Sequence, residues 1–222
     1  PVDEALGQIQ KGLHPIVSNE RITLELAVGR ILAHAVKANR SNPPMANSAI
    51  DGYGFRFSDL PDQDIIELSL QDGVAAAGKP YDRQVKSGYA LRILTGAVLP
   101  EGIDTIVLEE DVVLGDTSIS FRRGLRNGAN VRKAAEDVAW DQTILEQGHV
   151  MRPQALALLA ATAVHDISVY KRLKVAVIST GTELIKVGEV ARDDQIFDAN
   201  KPMLLNMIRA WGFEPIDGGH YK

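Results

Sequence analysis

The sequence predicts a multidomain protein of mixed α+β and α/β class. Two helical stretches flank a small β-rich, barrel-like module, and the start of a parallel α/β domain follows. Three observations predict this. Apolar residues recur at helical spacing in "VDEALGQIQKGL" and again in "RPQALALLAATAV". Between those stretches, short β-prone pieces alternate with glycine-bearing breaks. After them, "KVAVISTGTEL" runs an apolar ribbon into hydroxyls, a glycine and a carboxylate, with a punctuated helix and another strand behind it.

The first helix places Val2, Leu6, Ile9 and Leu13 on one face, with Asp3 near its start. "RITLEL" alternates like a strand, and "AVGRILAHAVKA" reads as a short helix leading into a strand. The Pro, Asn, Ser and Gly content of "NRSNPPMANSAIDGYGF" makes it a loop that opens a new region. From Phe55 to Val131, "IIELSL", "YALRILTG", "TIVLEEDVVL" and "SISFRR" are separated by "QDG", "KSG", "LPEG", "LGD" and "RNGAN". In the second helix Pro153 suits the first turn, and Leu156, Leu159 and Ala160 share a face. "DISVY" is the next strand. Val175 to Ile178 lack polar alternation and so predict a strand buried on both faces. Asp198 or Asn200 caps the last helix, and Pro202 suits its first turn. Met203, Leu204, Met207, Ile208 and Trp211 form its stripe, Gly212 ends it, and "FEPI" begins a strand. A lone βαβ unit does not bury both faces of a parallel sheet, so this last domain is expected to be truncated, and a chain starting at Pro1 reads as an excised piece.

Bulk properties narrow the function. The chain has 222 residues, 45% of them hydrophobic, enough for a substantial core. A net charge of -5 argues against electrostatic binding to nucleic acid or an anionic membrane. The absence of cysteine excludes disulfides and thiolate metal sites and fits a cytoplasmic protein. No apolar run is long enough to span a bilayer, and no stretch reads as a signal peptide. The five histidines show no helical His-His metal spacing, and no GxSxG, P-loop or GxGxxG appears.

Four stretches carry candidate chemistry. In "SAIDGYGF", Asp51 precedes Gly52 and Gly54, which suits either a close backbone approach to a ligand or an Asp-Gly hairpin turn. In "RILTGAVLPEG", Thr95 either donates a hydroxyl to a phosphate-type oxygen or caps a turn. "FRRGLRNGANVRKAAEDV" sets Arg132 before Glu136 and Asp137, as a solvated charged face or an anion-binding edge with a carboxylate nearby. Ser179, Thr180, Gly181 and Glu183 sit at the carboxyl end of the ribbon, where open α/β sheets bind ligands. Main-chain amides there suit an anion. Glu183 then needs a bridging cation or a donor on the ligand, or it simply caps a helix start.

In order and spacing, "SAIDGYGF", "RILTGAVLPEGIDTIV", "GANVRKAAEDV", "LKVAVISTGTEL" and "QIFDANKPML" resemble the MoeA/gephyrin E-domain family of molybdopterin molybdenumtransferases across essentially the whole chain. That resemblance implies a split elongated helical linker domain (residues 1–44 and 139–170) with an inserted β-rich module (45–138). It implies that residues 171–222 are the first βαβ unit of a molybdopterin-binding domain whose later loops lie outside this sequence, so the fragment alone should not turn over. It implies insertion of molybdate into adenylylated molybdopterin with release of AMP, assisted by Mg²⁺. A homodimer with a cleft shared between subunits goes with it. Asp51, Thr95, Asp137 and Glu183 match the family's catalytic positions, while Arg132, Ser179, Thr180, Gly181, Asp198 and Asn200 match contacts to the pterin-phosphate substrate. The resemblance gives Asp51, Asp137 and Glu183 cation-handling or water-orienting roles, and Thr95 and Arg132 oxyanion contacts; it identifies no particular metal ligands. Ala135 stands where the family has glycine and Thr182 where an acidic residue is common, which also suits a non-catalytic dimerisation or scaffold paralogue.

Overall fold

A computed structural model describes residues 1–221. In chain order the first elements are α1 (Val2–Gly12), β1 (Asn19–Thr23), β2 (Val36–Lys37), β3 (Asn47–Ser48), β4 (Gly52–Phe55) and β5 (Ile65–Ala75). Next come β6 (Tyr89–Ile93), β7 (Thr105–Leu108), β8 (Val112–Leu114), β9 (Ser118–Arg122), β10 (Val131–Arg132) and β11 (Thr143–Leu145). The chain continues through α2 (Pro153–Ala161), β12 (Asp166–Tyr170), β13 (Lys174–Thr180), β14 (Leu184–Ile185), β15 (Ile196–Phe197), α3 (Asn200–Ala210) and β16 (Glu214–Tyr221). They fold as two compact units. One unit is Lys37–Gln142 with Ala161–Ala163; the other holds Pro1–Val36, Thr143–Ala160 and the residues from Val164 onward.

The first of these units is built on a curled sheet of six strands in the order β7-β4-β6-β5-β9-β8. Its neighbours are antiparallel except β5 and β6. Ile66 and Leu68 of β5 point inward between exposed Ile65, Glu67 and Ser69, the period of two that a half-covered strand requires. They join Phe55, Val107, Ile119 and Phe121 in one cluster, where the Phe55 and Phe121 rings stack at 5.3 Å. Each such side chain contributes about 1.5–3 kcal/mol by leaving water. Leu91, Ile93, Ile103 and Ile106 form a second cluster with Ala75, Val85 and Ala97. The stretch "QDG" does not break β5 but lies inside it, where the register with β6 shifts between Gln71 and Val74.

Strand β4 is buried at all four residues because it lies between β6 and β7. A Cβ on Gly52 would lie 2.0 Å from the Val107 carbonyl oxygen, so only glycine fits there. The Asp-Gly pair is therefore not a hairpin turn: Gly52 already belongs to an inner strand of the sheet. Ala135 takes φ 60°, the left-handed region, to donate its N–H to the Pro43 oxygen at 2.8 Å. The alanine thus adopts the glycine-like conformation in spite of its Cβ, at a cost of about 1–2 kcal/mol.

In the other unit, α2 and the antiparallel β1–β12 pair enclose Leu32, Met151, Leu159, Ile167 and Val169. Helices here are limited to α1 and α2 before Asp166, so the expected helical segment is largely extended chain between them. "RITLEL" is a strand only to Thr23, and a single 3-10 turn takes Leu24–Leu26. "AVGRILAHAVKA" forms no helix. Its amides go to distant partners instead: Leu32 donates to the His149 oxygen and Ala33 to the Ser168 oxygen. Leu32 and Ala33 are buried where those long-range bonds form, a tertiary preference that overrides helical propensity.

The final stretch is the expected βαβ unit, with β13 and β16 parallel and α3 between them in sequence. Strand β13 is buried on one face, not two: Val177 and Ser179 are buried while Ile178 is 58% exposed. Only Ile208 of the α3 stripe is buried; Met203, Leu204, Met207 and Trp211 are exposed, because β13 and β16 cover a single narrow side of this helix. Among the described residues no helix is long and apolar enough to cross a membrane.

Substituting Gly52→Ala is expected to destabilise the six-stranded unit by at least about 3 kcal/mol, since backbone rather than a flexible side chain must give way. Chemical denaturation followed by tryptophan and far-ultraviolet signals measures this, and a change below about 1 kcal/mol contradicts the packing described.

Candidate functional site

The sheet unit carries one group of candidate residues. Gly52 pairs with Ile93 across antiparallel β4 and β6, so the residues just outside the two strands meet. There the backbone N–H and the hydroxyl of Thr95 both donate to Asp51 Oδ1, each at 2.7 Å. The Thr95 hydroxyl, then its amide, and more weakly the Arg92 guanidinium hold the Asp51 carboxyl below the usual carboxylate range. The sign follows. This interaction is fully present above the unfolded carboxylate pKa of about 4 and is lost as pH falls through the lowered folded value. Thr95 has no hydrogen left for a ligand while this bond stands, so the expected oxyanion contact requires Asp51 to release it.

Main-chain bonds lace three loops together around this pair. Ser48 donates to the Ala97 oxygen at 2.9 Å, Gly96 to the Ser48 oxygen at 2.8 Å, and Ala49 to the Asn130 oxygen at 3.0 Å. Strand β3 pairs with β10, setting Asn47 opposite Arg132. Arg132 forms a fork, with Nε to Glu136 at 3.1 Å and Nη2 to Asp137 at 2.6 Å. Asn42 Nδ2 donates to the other Asp137 oxygen at 3.3 Å, and the Asp137 amide bonds the Asn42 oxygen. Arg132 and Asp137 therefore face each other, which their spacing of five left open. The two carboxylates, Asp137 ahead of Glu136, raise the Arg132 pKa. The Lys133 amide and then Arg132 lower Glu136.

Sequence reasoning overlooked Arg92 and Asn42. Arg92 pairs with Tyr53 in register, lies over its ring at 5.1 Å, and reaches Glu109 at 2.6 Å. Its Nη1 and the Asn47 Oδ1 are buried without a hydrogen-bond partner. The signal available was register: Arg92 lies three residues before Thr95 on a strand that borders β4.

The second group lies in the other unit, at the carboxyl end of β13. Ser179 is buried there and its hydroxyl donates to Asp198 Oδ2. Asp198 Oδ1 accepts the Lys201 amide at 3.0 Å, so it satisfies a first-turn donor of α3 from one residue before the N-cap position, which is Ala199. Ser179, then the Lys201 amide, keep the Asp198 carboxyl below its ordinary range. Thr180 ends β13 opposite Tyr221, and Asn200 begins α3. Gly181 takes φ 140° and donates to the Tyr221 oxygen at 3.1 Å. The Glu183 carboxylate folds back over Gly181, so a Cβ there would lie 2.6 Å from Oε2. Glu183 caps no helix; the chain turns into β14, which pairs in parallel with β15. Beside this turn lies a hollow of about 590 Å³, lined by Leu184, Ile185, Lys186, Asp198, Lys201 and His220 among others.

Asp51, Thr95, Arg132 and Asp137 thus sit on interlaced loops of one unit, and Ser179, Thr180, Gly181, Glu183, Asp198 and Asn200 at one strand end of the other. Among the described residues no three His, Asp or Glu side chains gather as a metal site. The described residues do not by themselves form a Mg²⁺ cage.

Comparison with known proteins bears on this geometry. The model of the MoeA N-terminal region, domains I and II, matches residues 1–163. The molybdopterin molybdenumtransferase of Haemophilus influenzae is 36% identical over 219 residues, covering 98% of this chain and 54% of the relative. That of Staphylococcus aureus strain MRSA252 is 31% identical over 219 residues, covering 96% and 51%. The crystal structure of the molybdopterin biosynthesis MoeA protein from Pyrococcus horikoshii OT3 superposes with a TM-score of 0.88 at 30% identity, covering 99% of this chain and 59% of that one. The chain spans about half the length of the curated relatives it matches. Covering residues 1–163, all of the six-stranded unit and part of the other, the family match shows that this chain belongs to the MoeA family, through its N-terminal region.

Proposed function

We propose that this chain supplies the N-terminal half of a site that inserts molybdate into adenylylated molybdopterin with release of AMP. The observation that carries the reading is the Asp51–Thr95 pair. A carboxylate on an exposed loop is kept ionised and fixed in direction by two donors. Such a group suits the orientation of a cation or a water rather than contact with a phosphate, which it repels. Thr95 then acts through Asp51. Arg132 uses part of its guanidinium on Glu136 and Asp137 and keeps further N–H groups for an oxyanion. At the other group, Ser179 and Asp198 are engaged with each other and both main-chain groups of Gly181 are taken by Tyr221 and His220, so Thr180 and Asn200 offer the freer polar contacts to a pterin phosphate.

A homodimer belongs to the same reading. Helix α1 buries no residue, and Val2, Leu6, Ile9 and Leu13 leave its apolar face open, with Ile16 exposed just beyond. An amphipathic helix of this kind needs a surface to cover it, and a second copy supplies one. Sedimentation is expected to give a dimer for the native chain and a shift towards monomer for Ile9→Asp. A native monomer at micromolar concentration removes the dimer from the account.

The activity is tested by joining this chain to the C-terminal half of the Haemophilus influenzae relative and assaying molybdate-dependent AMP release. Asp51→Ala or Glu183→Ala is expected to lower the rate by about 100-fold or more, the scale on which a positioned catalytic group acts. Undiminished release in both variants overturns the assigned roles. A correctly folded native chimera that releases no AMP favours the scaffold reading instead.

A further inference from the structure

The turn that ends β13 is closed by a ring of polar contacts, and Lys201 sits where the ring crosses between elements. Its amide donates to Asp198 Oδ1 at 3.0 Å, and Asp198 holds Ser179 of β13 through its other oxygen. Its ammonium donates to the Gly219 oxygen of β16 at 3.0 Å and pairs with Asp217 at 3.0 Å, while the lysine side chain is only 17% exposed. The Gly219 amide bonds Asp217 Oδ1 at 2.9 Å, and that bond, then Lys201, lowers the Asp217 carboxyl. One residue further on, His220 Nε2 lies 2.7 Å from the Gly181 oxygen. A carbonyl only accepts, so Nε2 carries the hydrogen.

The consequence falls on the peptide after Gly181. In a trans peptide the carbonyl and the following N–H point in opposite directions. Once His220 holds the Gly181 oxygen, the Thr182 N–H faces away from β16. Neither the Thr182 nor the Glu183 amide has a hydrogen-bond partner among the described residues. Two consecutive free donors beside a glycine at φ 140° form a concavity suited to an oxyanion. Their direction depends on where β16 holds His220, which the register with β13 at Ser179 and the Lys201 tie from α3 set together.

We infer that Lys201 is a positioning residue for the Ser179–Glu183 turn: by joining α3 to the end of β16 it aims the Thr182 and Glu183 amides at the ligand's phosphate. This deepens the proposed function and rests on it for the identity of the ligand. Without the ammonium, the Gly219 oxygen loses that donor and Asp217 loses its cation while keeping the Gly219 amide; the pairing of Ser179 with His220 stays, and the Lys201 tie from α3 to the end of β16 is lost.

The test uses the ¹⁵N-labelled 222-residue chain with Lys201→Met and Lys201→Arg. In the ligand-free chain, Lys201→Met is expected to shift the Thr182 and Glu183 amide resonances while leaving those of the six-stranded unit in place. Lys201→Arg, which keeps a cationic donor, is expected to restore them towards native positions. Titration with molybdopterin is expected to show about tenfold weaker binding for Lys201→Met, the scale of one charged hydrogen bond, with recovery in Lys201→Arg. Native amide positions in Lys201→Met, or loss without recovery in Lys201→Arg, overturn the inference. If Lys201→Met does not fold, Asp217→Asn decides by the same resonances, and their staying in place overturns it. Absence of molybdopterin binding by the native chain counts against the proposed function alone, because the ligand-free resonances still decide the role of Lys201.

Discussion

The contact on which the sheet unit depends is the approach of the Gly52 backbone to the Val107 carbonyl, too close for any side chain. It lets β4 run between β6 and β7 with every residue buried, and so fixes the register Gly52 to Ile93. That register brings Asp51 to Thr95 across 44 positions of sequence. The polar group is then a consequence of apolar packing. Phe55 and Tyr53 hold β4 in the core, and the residue before β4 emerges at the end of that inner strand with its partner already in place. An orientation set by a packed sheet costs nothing further when a ligand arrives.

The charges follow one rule in both units: each candidate carboxylate with a lowered pKa is held by N–H or O–H donors rather than by burial. Asp51 takes two donors from Thr95, and Asp198 takes Ser179 and Lys201. These groups therefore stay ionised at neutral pH. On the proposed function, such fixed, ionised carboxylates meet the ligand through a cation or a water, and its phosphate is left to main-chain amides.

Much of this was legible from residue patterns. The helices at Val2 and Pro153, the strand ends at "RILTG" and "KVAVIST", and the Asp198 bond to the first turn of α3 all follow from local periodicity and turn chemistry. What was not legible depended on neighbours distant in sequence. "AVGRILAHAVKA" has helical spacing, yet its amides are claimed by His149 and Ser168. The Asp-Gly pair looks like a turn because composition does not reveal Val107 beside it. Val175 to Ile178 look doubly buried because an apolar run does not say which face is covered. Lys201 falls inside "QIFDANKPML" without any sign of its role there, His220 lies outside every motif, and the parallel pairing of β13 with β16 is what brings His220 against Gly181.

Thr95 orients the Asp51 carboxylate before any ligand binds. Hydrogen exchange at the Thr95 amide tests it most directly. Corrected for intrinsic pH dependence, that amide is expected to be protected at neutral pH and to lose protection as acid titrates Asp51 below about pH 4. Exchange at the rate of an unstructured threonine at neutral pH, in a chain whose six-stranded core remains protected, contradicts the account.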